Sequence, residues 1–524
     1  MAHSPLPDSM TCESGRRLRP IARSITQAGV LALTATLPLW GPSAQALEKV
    51  IVKVPLLETS ITVDLNELTD PNLLIRGNSD LAELDRASNG AIGRKLIELL
   101  NSPVPLSLAQ VADGSVGSPL LEQALLVLSS FGTIQGRSPD LSGRTLQEAF
   151  RKASINGEPS LLALMKAIPG KSVTLDIGRA RFIVEQMQRQ HRRAEALLNS
   201  TPAVTVTAAT GDPLPLQRSE FELAVSHRSQ PLKLLLLKPT RGANGQLVLI
   251  SHGLWDGPES FEGWARLLAG QGYSVVLPHH PGSDSSQQQA MLSGQVPPPG
   301  PEELELRPRD ISAVIDAVAA GRLPTFAGVS GDRVVVIGHS WGATTTLQLA
   351  GLKPSDTRLR SRCSDVNDPE RNLSWTLQCS WLKGVHRGAM QDERVISVVA
   401  VSPPTSLLFD QGATQGMTGR VLLVSGSHDW VVPPDPEAIN PMARSMALGH
   451  RLVLAKGGDH FNLRPGTSAD GGILGPLILA WTRGSFKAGA DVRPSPSASS
   501  FLLAEGWGNN QIPLRDITNR VGNK

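Results

Sequence analysis

Arg333-Val334-Val335-Val336-Ile337-Gly338-His339-Ser340-Trp341-Gly342 is the stretch whose reading decides the fold. Its β-branched run predicts a buried strand. The run ends in a G-x-S-x-G turn that opens onto Ala343-Thr344-Thr345-Thr346-Leu347, the expected start of a helix. Such a strand-to-helix turn pushes the serine hydroxyl out of the sheet, and side chains at the two glycine positions would strike neighbouring backbone. The pattern alone is weak. Its position between strand and helix is what a nucleophile turn requires.

A serine hydroxyl needs a base to take its proton, and the base needs an orienting acid. Downstream, Val421-Leu422-Leu423-Val424-Ser425-Gly426-Ser427-His428-Asp429 is an apolar strand running into a turn that ends in an aspartate. Further on, Leu452-Val453-Leu454 leads through Gly457-Gly458-Asp459 into His460-Phe461. With each group at the end of a strand and in the order nucleophile, acid, histidine, the expected catalytic set is Ser340, Asp429 and His460. Asp410 and Asp459 compete for the acid, and His428 and His450 for the base.

Upstream, Leu247-Val248-Leu249-Ile250 ends in Ser251-His252-Gly253-Leu254-Trp255. A glycine there lets backbone amides approach a substrate oxygen, so the Leu254 and Trp341 amides are the expected oxyanion donors. Trp255, Trp341 and Trp430 each follow a site element. They are expected as walls of an apolar pocket, Trp255 and Trp430 above all, with plain core aromatics as the alternative. His279-His280 with Asp284 fits no ligand spacing, and no phosphate-binding glycine loop occurs, so neither a metal nor an organic cofactor is expected.

From residue 219 to 487 strands alternate with helical segments, the pattern of an α/β protein with a mostly parallel sheet flanked by helices. Within it, the polar segment 352–393 is expected to form a lid-like insertion above the strand ends. Residues 47–200 have a short β-like start and then apolar residues at helical spacing, which predicts a separate, mainly helical domain. The amphipathic stretch from Ile177 to Leu198 should bridge to the catalytic part. Residues 201–218 read as a linker and 488–524 as a tail that begins Pro/Ser-rich.

A chain of 524 residues exceeds one ordinary core, and 40% hydrophobic with 19% charged residues describes a globular protein. The net charge is +3, and four arginines against two acids in the first 46 residues account for most of it. Nothing electrostatic favours nucleic acid as a partner. Those residues read as an export signal: a basic Arg16-to-Arg23 region, an apolar stretch at 28–37 too short to span a bilayer, and the small-x-small site Ala44-Gln45-Ala46. A periplasmic or extracellular location follows, with an uncleaved membrane anchor as the alternative. No later stretch could span a bilayer. Cys12 leaves with the leader. Cys363 and Cys379 are compatible with a disulfide closing a loop of about 15 residues, worth roughly 3 kcal/mol, or with two free thiols.

Ser251-His252-Gly253, Tyr273-Ser274-Val275-Val276 with His280-Pro281-Gly282-Ser283, the Gly338-to-Gly342 turn and Gly458-Asp459-His460-Phe461 carry a family likeness. On them the catalytic half resembles the serine esterase branch of the α/β-hydrolases, around dienelactone hydrolases, platelet-activating-factor acetylhydrolases and bacterial polyester hydrolases. From about Glu48 to about Lys487 the chain is similar to cyanobacterial predicted dienelactone hydrolases, which carry an N-terminal helical domain of unknown function. The resemblance implies the α/β-hydrolase fold, a Ser-His-Asp triad, an acyl-enzyme and a small-molecule or lipid ester as substrate, with no cofactor. There are two departures. Dienelactone hydrolases proper use cysteine where this chain has Ser340. The acetylhydrolases place their acid where this chain reads Val401-Ser402-Pro403, so the acid is expected one strand later, at Asp429. Acyl transfer to an alcohol, or an idle fold serving as a binding module, are the other readings.

Overall fold

A computed structural model describes residues 46–521, apart from 55–58, 105, 156, 203–210, 411, 415, 444–448 and all of 489–511 except 494, 501, 502 and 507. The expected export signal, Ala46 excepted, and much of the expected linker lie outside the described residues.

Unbroken apolar runs arise where a strand is covered on both faces. The strands Ser330–His339 (β9), Val395–Val401 (β10) and Arg420–Gly426 (β11) follow that rule, with β10 and β11 buried along their whole length. They form the centre of a nine-stranded sheet. The flanking strands are Leu216–Leu223 (β5), Leu232–Pro239 (β6), Gln246–Ser251 (β7), Ser274–Pro278 (β8), Arg451–Ala455 (β12) and Leu514–Asp516 (β13). The order is β13-β12-β11-β10-β9-β7-β8-β6-β5. From β8 through β7, β9, β10 and β11 to β12 every pairing is parallel, while β5, β6 and β13 join antiparallel.

Alternation along β9 sends Val334 and Val336 into one core and Val335 and Ile337 into the other. Helices Glu303–Ala319 and Trp341–Leu349 cover the first face, through Ile311, Val314 and Leu347. Helices Glu262–Gly270 and Gly475–Lys487 cover the second, through Trp264, Leu268, Leu477 and Trp481. The parallel strands therefore all end at one edge, where loops gather. Two edge strands extend the sheet beyond the sequence reading. β5 begins inside the expected linker, and β13 lies in the expected tail, where Phe501, Trp507 and Leu514 are buried in the second core.

Residues 47–200 are helical with one further element, a four-stranded sheet. Its strands are Lys49–Val54 (β1), Thr59–Asp64 (β2), Gly132–Ile134 (β3) and Ser172–Asp176 (β4), in the order β2-β1-β4-β3. Only β1 and β2 fall in the β-like start. Helix Ile177–Asn199 begins where the Asp176 carboxylate accepts from the Gly178 amide. It leaves this region and joins the sheet, burying Ala194 and Leu198 in the first core.

The insertion 352–393 is held like core. Cys363 and Cys379 are joined in a disulfide, and Trp375 and Trp381 are fully buried. The buried Glu437 carboxylate accepts hydrogen bonds from Asn372, Ser374 and Gln378 of the insertion and from the amides of Thr405 and Ser406. So anchored, the segment is not built as a free flap.

Candidate active site

Ser340 sits between β9 and its helix with φ 54° and ψ −123°, a region that ordinary L-residues avoid and that holds its side chain up from the sheet. A Cβ at Gly338 would overlap the Gly342 carbonyl, and one at Gly342 would overlap the Ser251 carbonyl. The turn can close only with glycine at both places.

Asp429 is fully buried beyond the end of β11. Its Oδ1 accepts from the amides of Val431 (3.0 Å) and Val432 (2.7 Å), and its Oδ2 accepts from His460 Nδ1 at 2.9 Å. That bond puts the hydrogen on Nδ1 and leaves Nε2 as the free basic nitrogen. The acid and histidine loops touch: a Cβ at Gly426 would overlap the Gly458 carbonyl. Ser340 and His460 line one cavity of about 290 Å³, together with Gly253, Leu254, Trp255 and Phe461.

The competing groups are placed elsewhere. Asp410 accepts from the Ser355 hydroxyl. Asp459 caps its own turn through the amides of Phe461 (2.8 Å) and Asn462 (2.7 Å). His428 is exposed and 3.6 Å from Glu195. His450 is buried at the start of β12, where its Nδ1 accepts from the Val421 amide at 3.1 Å. Val401-Ser402-Pro403 offers no carboxylate, and the Val401 carbonyl accepts from the Ser340 amide at 2.8 Å.

Among the described residues neither the Leu254 nor the Trp341 amide has a hydrogen-bond partner, whereas the Trp255 amide is taken by the Ser283 carbonyl at 2.8 Å. The Trp341 amide opens the helix after the serine turn, where amides point outward and the helix dipole favours negative charge. The three tryptophans divide. Trp341 is fully buried core, its ring 5.1 Å from Trp381 and under the Arg307 guanidinium. Trp255 lines the cavity and is fixed by its indole N–H to Gln287 at 2.8 Å. Trp430 is 46% exposed, its ring 6.3 Å from that of Phe461.

Several site residues escaped the sequence reading. His339 donates from Nε2 to the His460 carbonyl at 2.8 Å and lies 4.7 Å ring to ring from it. Burial, and then the nearby His460, push its pKa well below the ordinary histidine value. Arg464 and Asp256 pair at 2.9 Å across the cavity rim and tie the histidine loop to the loop after β7. Behind that loop lies a buried cluster in which Asp310 accepts from His227, Arg228 and His280. Burial alone would raise the Asp310 pKa, but these hydrogen bonds hold it well below the usual carboxylate range. Arg307 and Asp310 share a helix face with Leu304, Ile311 and Val314, so core-facing charge was the available signal. His279 and His280 pair with separate carboxylates, and no group of three or more potential ligands for a metal occurs among the described residues.

Residues 246–375, from β7 through the serine turn into the insertion, match the family model of the alpha/beta hydrolase fold. No curated protein matches the chain. With its large mixed sheet flanked by helices, the chain has the α/β-hydrolase fold, and that fold supports a hydrolase-type activity in general terms.

Proposed function

We propose that the protein is a serine hydrolase that cleaves carboxylic esters through an acyl-enzyme. The observation that carries this reading is the convergence on one cavity of a strained serine turn and a histidine whose Nδ1–H is held by a buried aspartate. Ser340 Oγ attacks the ester carbonyl carbon as His460 Nε2 takes the hydroxyl proton. The Leu254 and Trp341 amides receive the negative charge that develops on the carbonyl oxygen. As the tetrahedral adduct collapses, the carbon–alkoxide bond breaks and His460 returns the proton to the leaving alcohol. Water then repeats the sequence on the acyl-enzyme, with His460 as base and Ser340 as leaving group. Asp429 orients the imidazole and stabilises its protonated form.

A cavity of about 290 Å³ favours an ester with one short group seated at Ser340. The two departures from the resembled families argue against assigning either named substrate. An exported protein is the reading that best accommodates the leader sequence and the disulfide. Among the described residues no helix is long and apolar enough to cross a membrane.

Hydrolysis of a p-nitrophenyl ester series from acetyl to palmitoyl, by wild type and Ser340→Ala side by side, tests the proposal. A loss of roughly 10³-fold or more in the variant is expected. Equal, slow rates for both proteins on every ester would overturn it.

A further inference from the structure

The loop that leaves β7 is held by buried groups that the proposed chemistry does not consume. His252 is 1% exposed, and its ring nitrogens face different partners. The backbone N–H of His280 lies 3.1 Å from Nε2, and Nδ1 lies 2.8 Å from the carbonyl oxygen of Gly253. An amide N–H can only donate and a carbonyl can only accept. Nε2 therefore carries the lone pair and Nδ1 the hydrogen.

The Nδ1 bond has a geometric consequence. The Gly253 carbonyl shares a peptide unit with the Leu254 N–H, and in a trans peptide the two point in opposite directions. Holding the carbonyl against His252 turns the Leu254 amide away from the ring. Leu254 lines the cavity with Ser340.

The preceding peptide is clamped as well. Fully buried Arg307 donates to the His252 carbonyl and, over 3.0 Å, to the Ser283 hydroxyl. Its guanidinium carbon lies 5.0 Å from the Trp341 ring centroid, so one side chain touches both the His252–Gly253 peptide and the Trp341 ring. His280 completes the frame, with Nε2 2.9 Å from the Ser251 hydroxyl and Nδ1 2.7 Å from Asp310. Burial, and then the Arg307 charge, push the His252 pKa well below the ordinary value, which keeps the ring neutral.

We propose that His252 is a positioning residue: as its Nδ1–H tautomer it turns the Gly253–Leu254 peptide so that the Leu254 amide faces the ester carbonyl above Ser340. This rests on the ester-hydrolase reading.

Two measurements on the full-length protein test it. Histidine-selective ¹⁵N NMR, with the His252 signal assigned by its loss in His252→Asn, is expected to show a neutral, Nδ1-protonated ring between about pH 5 and 9. An Nε2-protonated ring, or one that titrates in that range, overturns the proposal. In kinetics, His252→Asn keeps an N–H near the Nδ1 place and is expected within about 5-fold of wild type. His252→Leu removes the donor and is expected to lose about 10²-fold in kcat, with KM changed by less than about 3-fold. Its affinity for a trifluoromethyl ketone, a tetrahedral mimic, should weaken by a similar factor. A folded His252→Leu with wild-type kcat and inhibitor affinity overturns the proposal; if that variant does not fold, the tautomer decides. Ser340→Ala, run alongside, separates the two readings. Activity that survives Ser340→Ala overturns the ester-hydrolase reading and the oxyanion role with it. An inactive Ser340→Ala beside an unaffected His252→Leu overturns the positioning role alone.

Discussion

The His191 imidazole, on helix Ile177–Asn199, donates from Nε2 to the backbone carbonyl of Asp429 over 3.0 Å, across a sequence separation of 238 residues. The acid loop is thus held from inside by the Val431 and Val432 amides and from outside by a helix of the N-terminal half. Arg193, half a turn along, adds an ion pair to Asp435 at 3.2 Å and a hydrogen bond to Asn440 at 2.6 Å. The N-terminal half therefore braces the loop that presents Asp429.

Removing that brace should be felt in turnover. His191→Ala deletes one hydrogen bond, worth about 1 kcal/mol, and kcat on p-nitrophenyl acetate is expected to fall about 3- to 10-fold with KM nearly unchanged. Glu185→Ala, whose exposed carboxylate pairs with Arg181 of the same helix, is the control and should leave both constants unchanged. Equal behaviour of the two variants would show that the helix does not act through Asp429.

The identity of the acid can be tested separately. Asp429→Asn keeps an acceptor for the Val431 and Val432 amides but turns an N–H toward His460 Nδ1, which favours the wrong tautomer. A loss of roughly 10³- to 10⁴-fold in kcat is expected, with little change in Tm. Asp459→Asn, which touches only its own turn, should stay within about 3-fold of wild type. A reversed pattern in stopped-assay rates would move the acid to Asp459.

What the sequence makes legible follows from burial. β9, β10 and β11 are covered on both faces, so each is a continuous apolar run that no helix period explains. Edge strands lack that signature. β5 carries Arg218, Glu220 and Glu222 at every second position, and the three residues of β13 become a strand only because β12 offers an open edge. The order of Ser340, Asp429 and His460 is readable because each follows the end of an apolar strand. The Trp341 ring is not, since an aromatic beside a nucleophile reads alike as wall or as core. Its direction is decided by Trp381 and Arg307, which only tertiary packing brings near. The anchored insertion has the same cause. Its polar sequence reads as a lid-like insertion, and Asn372, Ser374 and Gln378 are polar because they serve the buried Glu437 carboxylate.

Cys363 and Cys379 are buried in that insertion, beside fully buried Trp375. A reductant should reach the bond only when the segment opens. Dithiothreitol at 25 °C is expected to leave Cys363 and Cys379 unreduced for hours in the folded protein, and to lower Tm only when present during heating. Cys379→Ser should cost about 2–4 kcal/mol in urea unfolding, from the loss of a closed loop of about 15 residues. Rapid reduction of the native protein without change in activity would mean that the insertion opens freely.

Acid should destabilise the fold in a definite window. Burial, and then the Arg420 charge, push His450 down to about 4, and burial followed by the Arg307 charge pushes His280 down to about 3. Both are depressed below the ordinary value of about 6.5, so both are neutral in the folded protein at pH 7. The unfolded chain takes up a proton at each as pH falls below that value, and the folded chain does not. Their stabilising contribution is therefore complete above about pH 6.5 and is lost progressively as pH falls toward the folded values. The slope is at most about 1.4 kcal/mol per pH unit for each histidine. Urea midpoints should hold steady between pH 7 and 8 and drop between pH 6.5 and 4.5. His450→Asn can still accept from the Val421 amide but cannot titrate, so its decline should be shallower by about one proton. Parallel declines for wild type and His450→Asn would place the acid sensitivity elsewhere in the fold.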